Sequence, residues 1–400
     1  MITKDYQDDK GTFWAMSLVK EDLDVLVVGG GPAGLLTASR LANRHRVAVI
    51  ERGALGTTSK YWVTTTRRLK RHGLAECILY NPGGMTASTF LGGFFRTTGD
   101  FAVVDDQSLM RVLLERCRSQ GVQLVEKCSL LNLRWNERRI AVHTTSNAYS
   151  TRLVIDATGG QSPIAATFRL HRLYGFYSIY GSMLRGIALK TPDIVLAHIG
   201  RLGDPPPVLE IIPCGEDTAY CSIFLYSKQL IPPRNLVAAF EDHCSHNEFF
   251  CATEETVSES VKIGAIPIGR IRKRQLPGVV LVGEAALVQP PLLGTAFNEV
   301  LEYCDSLCEH ISGVLSRNSG VPRKPNFRYP LLKRAQDRVQ LRMTRKLLNN
   351  NVETFDRLIR FMGLLPAETI YSFCSNEMDW VQLLNTVARL PLYLSRSATL

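Results

Sequence analysis

The chain has 400 residues, 45% hydrophobic and 21% charged, enough apolar mass for one large core or two to three closely packed domains. That composition excludes a disordered or fibrous protein. The formal net charge of +10 leaves a solvated basic surface, an anionic membrane surface and nucleic acid as readings, but no nucleic-acid module is visible and no nucleic-acid partner is expected.

Residues 1–22 read as an N-terminal extension. Residues 1–20 are polar and mixed in charge, with no apolar core of a secretory leader. Met16 is an alternative translation start to Met1. No run approaches 18 apolar residues, so no membrane span is predicted. The 10 cysteines form no CxxC pair, which fits a reducing, cytoplasmic setting. Cys304 and Cys308 fall four apart on a predicted helix, as a core face does. Asp242, His243, Cys244 and His246 cluster without a second ligand group, and no metal is expected.

In chain order, residues 24–28 (DVLVV) form an apolar β-branched run that predicts a buried parallel strand. Residues 32–43 carry helical apolar spacing at Leu35, Leu36, Ala38, Leu41 and Ala42. VAVI at 47–50 is the second strand and completes a β-α-β unit. A helix is predicted over 108–120, then strands at 122–126, 129–135, 140–144 and 152–155. Residues 174–226 alternate aromatic, β-branched and turn residues, as a largely antiparallel second sheet does. GVVLV at 278–282 is another buried strand, with a helix over 294–314. From 329 onward the pattern is helical, broken at Pro366 and Pro391.

Gly29-Gly30-Gly31-Pro32-Ala33-Gly34 is a GxGxxG between strand and helix. Gly29 permits the tight turn, Gly31 lets the backbone approach a pyrophosphate, and Gly34 lets helix and strand pack closely. The helix N-terminus offers free N–H groups to phosphate. Glu51, 20 positions after Gly31, ends the second strand where a carboxylate accepts ribose hydroxyls. Arg52 follows it. An acid here disfavours a 2′-phosphate. Pro32, Ala33, Glu51 and Arg52 join the glycines as candidate cofactor-binding residues.

Two later segments point to FAD. VIDATGG at 154–160 resembles the ATG segment of two-dinucleotide-domain flavoproteins, which makes Thr158 and Gly159 candidates. Residues 283–298 (GEAALVQPPLLGTAFN) resemble their GD motif. The resemblance implies that Glu284, in place of the usual Asp, bonds the ribitol, and that Gly283, Pro291, Gly294 and Asn298 lie near the ring. The order of motifs is that of the group containing geranylgeranyl reductases, lycopene cyclases and flavin hydroxylases. Several segments are similar to lycopene cyclases: 103–121, DATG followed by the aromatic YG stretch at Tyr174-Gly175 and Tyr180-Gly181, IPIG at 266–269, and the helical tail. The implied fold is α/β, a glutathione-reductase-like (Rossmann-type) FAD-binding fold. Residues 23–163 plus 276–318 would form the FAD domain, 164–275 an inserted antiparallel-sheet substrate domain, and 319–400 a C-terminal helical region.

Lycopene cyclases of this type carry FLEET near the flavin, whose acids are thought to protonate the polyene. Here Phe224-Leu225-Tyr226-Ser227-Lys228 takes its place and both acids are gone, and Asp106 stands where relatives have Arg. Protonating an alkene needs a strong, positioned acid, for which Tyr226 or Lys228 would be poor substitutes; Tyr226, Glu210 and Arg67 are the catalytic candidates. Glu210 lies on VLEII, and the plainer reading is an edge acid in solvent. Phe176, Tyr177, Tyr180, Phe224 and Tyr226 either wall a polyene tunnel or pack a sheet. Arg67 and Arg68, after Trp62, would bind an anionic substrate, cofactor phosphate or water.

The expectation is therefore an FAD-dependent oxidoreductase of hydroxylase or reductase type acting on a hydrophobic polyene, isoprenoid or polyketide. A non-redox cyclase or isomerase and a catalytically inactive flavin-bound scaffold are the alternatives. No second GxGxxG is present for NADPH, so NADPH as external reductant and a redox partner protein both stay open. The basic clusters at 67–71, 270–274 and 323–346, with the apolar tail helices, make an anionic membrane surface a further candidate partner of a cytoplasmic, peripherally attached protein.

Overall fold

The computed structural model describes residues 22–395, apart from 59, 137, 202–204, 273–275, 318, 324, 326 and 349–350, with side chains to residue 389. The extension to residue 21, with Met16, and Lys273 and Arg274 of the second basic cluster lie outside the described residues.

The first sheet grows from the GxGxxG strand. Asp22–Val28 pairs in parallel with Val47–Ile50 on one side and Ala148–Asp156 on the other, and Gln123–Val125 extends the Val47–Ile50 edge. Ala148–Asp156 is long enough to use its far edge twice: its start pairs antiparallel with Ile140–Thr144, and its end pairs in parallel with Val279–Leu281. Both faces are covered. Helices Pro32–Ala42, Asp106–Ser119 and Ala296–Arg317 bury Leu35, Leu36, Leu109, Leu113, Leu301 and Leu307 against one. This double cover is why the central strands read as unbroken apolar runs. Cys304 and Cys308 belong to that core.

The second sheet has the order Phe250–Ile271, His171–Leu189, Thr218–Ser227, Val208–Pro213, Ile194–Ile199, Gly84–Thr89, Phe94–Thr98. Its last two strands correct the expected boundary. Residues 84–98 fall inside the span assigned to the FAD domain, yet Gly84–Thr89 pairs in parallel with Ile194–Ile199. The pairing joins residues 110 positions apart (Gly84 with Ile194), and short Thr-rich strands carry no local sign of a distant partner. Helix Pro233–His246, which holds Asp242, His243 and His246, covers one face through Leu236 and Phe240. The other face meets Val352–Gly363 and Ala367–Cys374 of the C-terminal region.

Leu331–Leu347 is tied to Ala296–Arg317 by a buried triad in which Lys333 Nζ lies 3.2 Å from Glu299 and 2.5 Å from Asp337. Burial pushes the Glu299 carboxyl up to about 8 despite Lys333. The last helix, Trp380–Ser395, runs through Pro391, where the sequence predicted a break. A proline removes one helical N–H and kinks a helix without always ending it.

Candidate active site

The glycines of the first turn divide into two kinds. A Cβ on Gly34 would lie 2.0 Å from the Gly29 carbonyl, and Gly29 itself has φ +110, so these two exist for packing and turn geometry. A Cβ on Gly31 or Gly159 would meet no protein atom within 4 Å. Those two line a cleft of about 470 Å3 at the carboxyl ends of the parallel strands. Pro32, Ala33, Glu51, Arg52, Thr158, Gly283 and Glu284 line it too, while Gly34 stands behind.

Glu51 is held on the cleft wall by two backbone donors, Gly30 N–H to Oε2 at 2.8 Å and Gly53 N–H to Oε1 at 3.0 Å. Thr158 donates its N–H (3.1 Å) and hydroxyl (2.6 Å) to Asp156 Oδ1, which fixes the ATG turn. Burial raises the Asp156 carboxyl, and bonds from Ser162 and Thr158 oppose that. No side chain caps helix Pro32–Ala42 at Gly31, so its first turn is available to an anion.

A second cavity, about 300 Å3, lies beside the first. Lys60, Trp62, Glu284, Ala296 and Phe297 line both. Lys60 Nζ is paired with Glu284 at this junction. Gly294 and Asn298 wall the second cavity, and Pro291 does not. Pro291 is buried, and its carbonyl accepts from the Thr344 hydroxyl at 2.9 Å, so it shapes the turn. Thr295 Oγ1 and Asn298 Oδ1 are buried at the start of helix Ala296–Arg317 with no hydrogen-bond partner. Each such group costs about 1–3 kcal/mol. Two orphaned polar groups and two open glycine cradles in continuous space fit a dinucleotide cofactor that extends from the cleft into the cavity.

The second sheet supplies the floor. Val208, Glu210 and Ile212 point into the cavity from one strand, and Tyr220, Ser222, Phe224 and Tyr226 from the next, in register. Of the five aromatics offered as tunnel wall or sheet packing, three take the first role and two the second. Tyr177, Phe224 and Tyr226 line the cavity, whereas Tyr180 packs on Phe240 across the sheet and Phe176 does not line it. Strand alternation sends neighbours to opposite faces. Phe355, Leu358, Ile359 and Met362 of the C-terminal region close the top.

Glu210 corrects the reading of an edge acid in solvent. Its strand lies inside the sheet and its carboxylate faces the cavity, where burial pushes the carboxyl up to about 7. The Ser222 hydroxyl, at 3.3 Å, opposes that rise. Tyr226 also faces the cavity, but its hydroxyl donates to the Leu292 carbonyl at 3.2 Å and burial raises its pKa. It is a poor proton donor there. Arg67 is not in the site: it is exposed and pairs with Glu377 at 2.7 Å. Its neighbour Arg68 is buried, 3.3 Å from Glu302 and 3.5 Å from Glu377, and bonds the Ser375 and Asn376 carbonyls. Arg71 pairs with Glu302 at 3.0 Å. Much of the first basic cluster is thus spent on internal ion pairs and gives no support to a membrane face.

The sequence reading missed Lys60 and Lys262. Lys262 Nζ pairs with Asp106 and sits 3.9 Å from the Tyr61 ring centre, so a cation on strand Phe250–Ile271 faces the first residue of helix Asp106–Ser119. No motif marks either lysine.

The family model described as "Lycopene cyclase protein" matches residues 24–398. No curated protein is recognisably similar in sequence. Among solved structures, a geranylgeranyl bacteriochlorophyll reductase-like protein from Thermoplasma acidophilum superposes with a TM-score of 0.72 at 15% identity, covering 94% of this chain and 98% of that one. p-Nitrophenol 4-monooxygenase from Pseudomonas putida gives 0.60 at 14%, over 92% and 93%. Aklavinone-11 hydroxylase, solved with FAD and aklavinone, gives 0.54 at 18%, over 74% and 63%. These likenesses establish the shared fold.

Proposed function

Because this chain belongs to the lycopene cyclase protein family, we propose that it is an FAD-dependent oxidoreductase acting on a hydrophobic polyene, isoprenoid or polyketide substrate. The observation that carries this reading is the junction at Lys60, Trp62, Glu284, Ala296 and Phe297, where a dinucleotide cleft opens into a mostly apolar cavity. Neighbours of this fold solved with FAD include a halogenase and a hydroxylase.

Glu51 would hold the ribose and the first turn of Pro32–Ala42 the phosphates. Glu284, released from Lys60, would take the ribitol, and Thr295 and Asn298 the polar edge of the ring. Bound FAD supplies two-electron transfer. The apolar walls orient the substrate and exclude water. The cavity of about 300 Å3 is at the small end for ligand sites and would be shared with the flavin ring at Thr295 and Asn298, which suits one end of a long substrate. NADPH or a redox partner protein supplies the electrons.

The test is the absorbance spectrum of the FAD-loaded protein under anaerobic NADPH, with and without lipid extract. Rapid bleaching of the flavin band supports the oxidoreductase reading. A band that stays oxidised until dithionite is added points to a separate reductase or a non-redox role. A protein that takes up no FAD sinks the proposal.

One observation favours a second reading, a non-redox cyclase or isomerase. Burial pushes the Glu210 carboxyl up to about 7 inside a mostly apolar cavity, so it keeps a proton to a higher pH than an ordinary carboxyl, as an acid that protonates an alkene must. That reading predicts a product of unchanged mass under anaerobic, reduced conditions, lost in Glu210→Gln.

A further inference from the structure

The first basic cluster of the sequence is largely consumed by internal ion pairs, but the fold joins parts of the other two into one surface. Helix Leu331–Leu347 buries Lys333, Gln336, Gln340, Thr344 and Leu347. Along its outer side Arg334, Arg338, Arg342 and Arg345 are exposed, at steps of four, four and three. Like charges at such steps destabilise a helix. Arg345 lies 4.6 Å from the Tyr174 ring centre, and Arg172 lies 5.6 Å from the same ring. Arg172 sits directly opposite Arg270 in the pairing of His171–Leu189 with Phe250–Ile271, and both are exposed. Like charges facing each other across two strands are also unfavourable.

None of these six arginines makes a side-chain hydrogen bond or an ion pair among the described residues. Asp337, on the same helix, is tied to the buried Lys333 at 2.5 Å. The exposed acids at the starts of the two helices packed on Leu331–Leu347 are Glu353 and Asp379, and Asp379 accepts from Gln382 N–H at 2.8 Å. The excess of positive charge is therefore uncompensated within the fold, at a cost that an anionic partner would remove.

The buried side of the same helix holds the loop before helix Ala296–Arg317. Thr344 donates to the Pro291 carbonyl at 2.9 Å, Gln340 accepts from Leu292 N–H at 3.2 Å, and Lys333 donates to the Val288 carbonyl at 2.8 Å. Leu292 and Gly294 of that loop line the apolar cavity beside Thr295 and Asn298. A helix with its side chains is about 10–12 Å across. One helix and one loop thus separate the arginine face from the place proposed for the flavin ring.

We propose that this face docks a small acidic electron-carrier protein that reduces the bound FAD. The proposal rests on the FAD reading above and names the class of its electron donor. Two one-electron donations, with one proton from water, convert FAD to its two-electron-reduced form while the carrier is oxidised. Unpaired cations on a fixed frame steer an acidic partner and set its orientation. A membrane or a nucleic acid would meet the same charge, but neither accounts for the short path from this face to the cofactor loop.

The test uses the FAD-loaded full chain with a plant-type two-iron ferredoxin as the probe. Anaerobic stopped-flow mixing with reduced ferredoxin reads bleaching of the flavin band, and calorimetric titration with oxidised ferredoxin reads binding. Reduction is expected, with a rate that falls roughly tenfold or more as salt is raised. Arg338→Glu with Arg342→Glu should slow it roughly tenfold or more at low salt and weaken binding. FAD affinity and reduction by dithionite should stay as in the parent. Arg111→Glu with Arg118→Glu makes the same change of charge at exposed positions on helix Asp106–Ser119, and should leave the rate within about twofold. The proposal is overturned by an absence of reduction by ferredoxin, by an unchanged rate in the Arg338/Arg342 variant, or by an equal loss in the Arg111/Arg118 variant. It is also overturned if the Arg338/Arg342 variant loses binding to phosphatidylserine vesicles or heparin while ferredoxin still reduces it at the parent rate. A chain that takes up FAD and is reduced by dithionite but not by ferredoxin sinks the docking alone; a chain that takes up no FAD sinks the function proposed above as well.

Discussion

The Glu210 carboxylate accepts a 3.3 Å hydrogen bond from the Ser222 hydroxyl on the adjacent strand and faces an apolar cavity. Burial outweighs that bond and lifts its pKa from 4.5 to about 7. Between those two values the folded state holds a proton that the unfolded state has lost. Stability is therefore expected to fall as pH rises through that window and to level off above it. Glu210→Gln should flatten the curve and be more stable than the parent above pH 7, by an amount on the order of a few kcal/mol. Urea midpoints across pH check this. If Glu210 delivers a proton to substrate, the same variant should lose roughly 100-fold or more in turnover.

Gly31 and Gly34 should separate cofactor binding from folding. Gly31→Ala puts a methyl into open cleft at an ordinary φ of -75. It should leave thermal stability unchanged and weaken FAD binding, read by fluorescence titration. Gly34→Ala drives a methyl into the Gly29 carbonyl. It should cost about 1–3 kcal/mol of stability or prevent folding.

Arg68 clamps the Ser375–Asn376 turn beside the cavity-lining Phe373 and Cys374. Arg68→Met should cost about 3 kcal/mol, since it strips partners from two carboxylates and two carbonyls. Limited proteolysis should then cut near residue 375. Arg67→Ala should cost under about 1 kcal/mol, because its pair with Glu377 is exposed on the arginine side.

Tyr226→Phe tests a structural role. Losing the bond to the Leu292 carbonyl should cost about 1 kcal/mol and leave turnover within a few-fold of the parent. A collapse of turnover, with its pH dependence altered, would restore Tyr226 as a proton donor.

Most of the residues read from the glycine and ATG motifs line one cleft at the carboxyl ends of the parallel strands. Gly29, Gly31, Glu51, Thr158 and Gly283 sit in short segments whose spacing is set by one turn or one strand end, and such geometry is local. Pro291 was misplaced for the converse reason: a motif gives the loop but not which side of it faces the cofactor. The sequence left the five aromatics as either tunnel wall or sheet packing because it read them as a set, while alternation along His171–Leu189 puts Tyr177 in the cavity and Tyr180 on Phe240.

By itself, the sequence determined the parallel β-α-β start, the double cover of its strands and the order of the cofactor motifs, because apolar periodicity and glycine spacing act over a few residues. Tertiary structure alone decided that Glu210 is interior, with its carboxyl pushed up to about 7. It also decided that Asp106 faces Lys262, that Arg68 is buried rather than offered to a ligand, and that the hairpin at 84–98 joins a sheet formed a hundred residues later. Each of those outcomes depends on which distant segment supplies the neighbouring atoms. Desolvation and charge pairing follow those atoms, not the chain order.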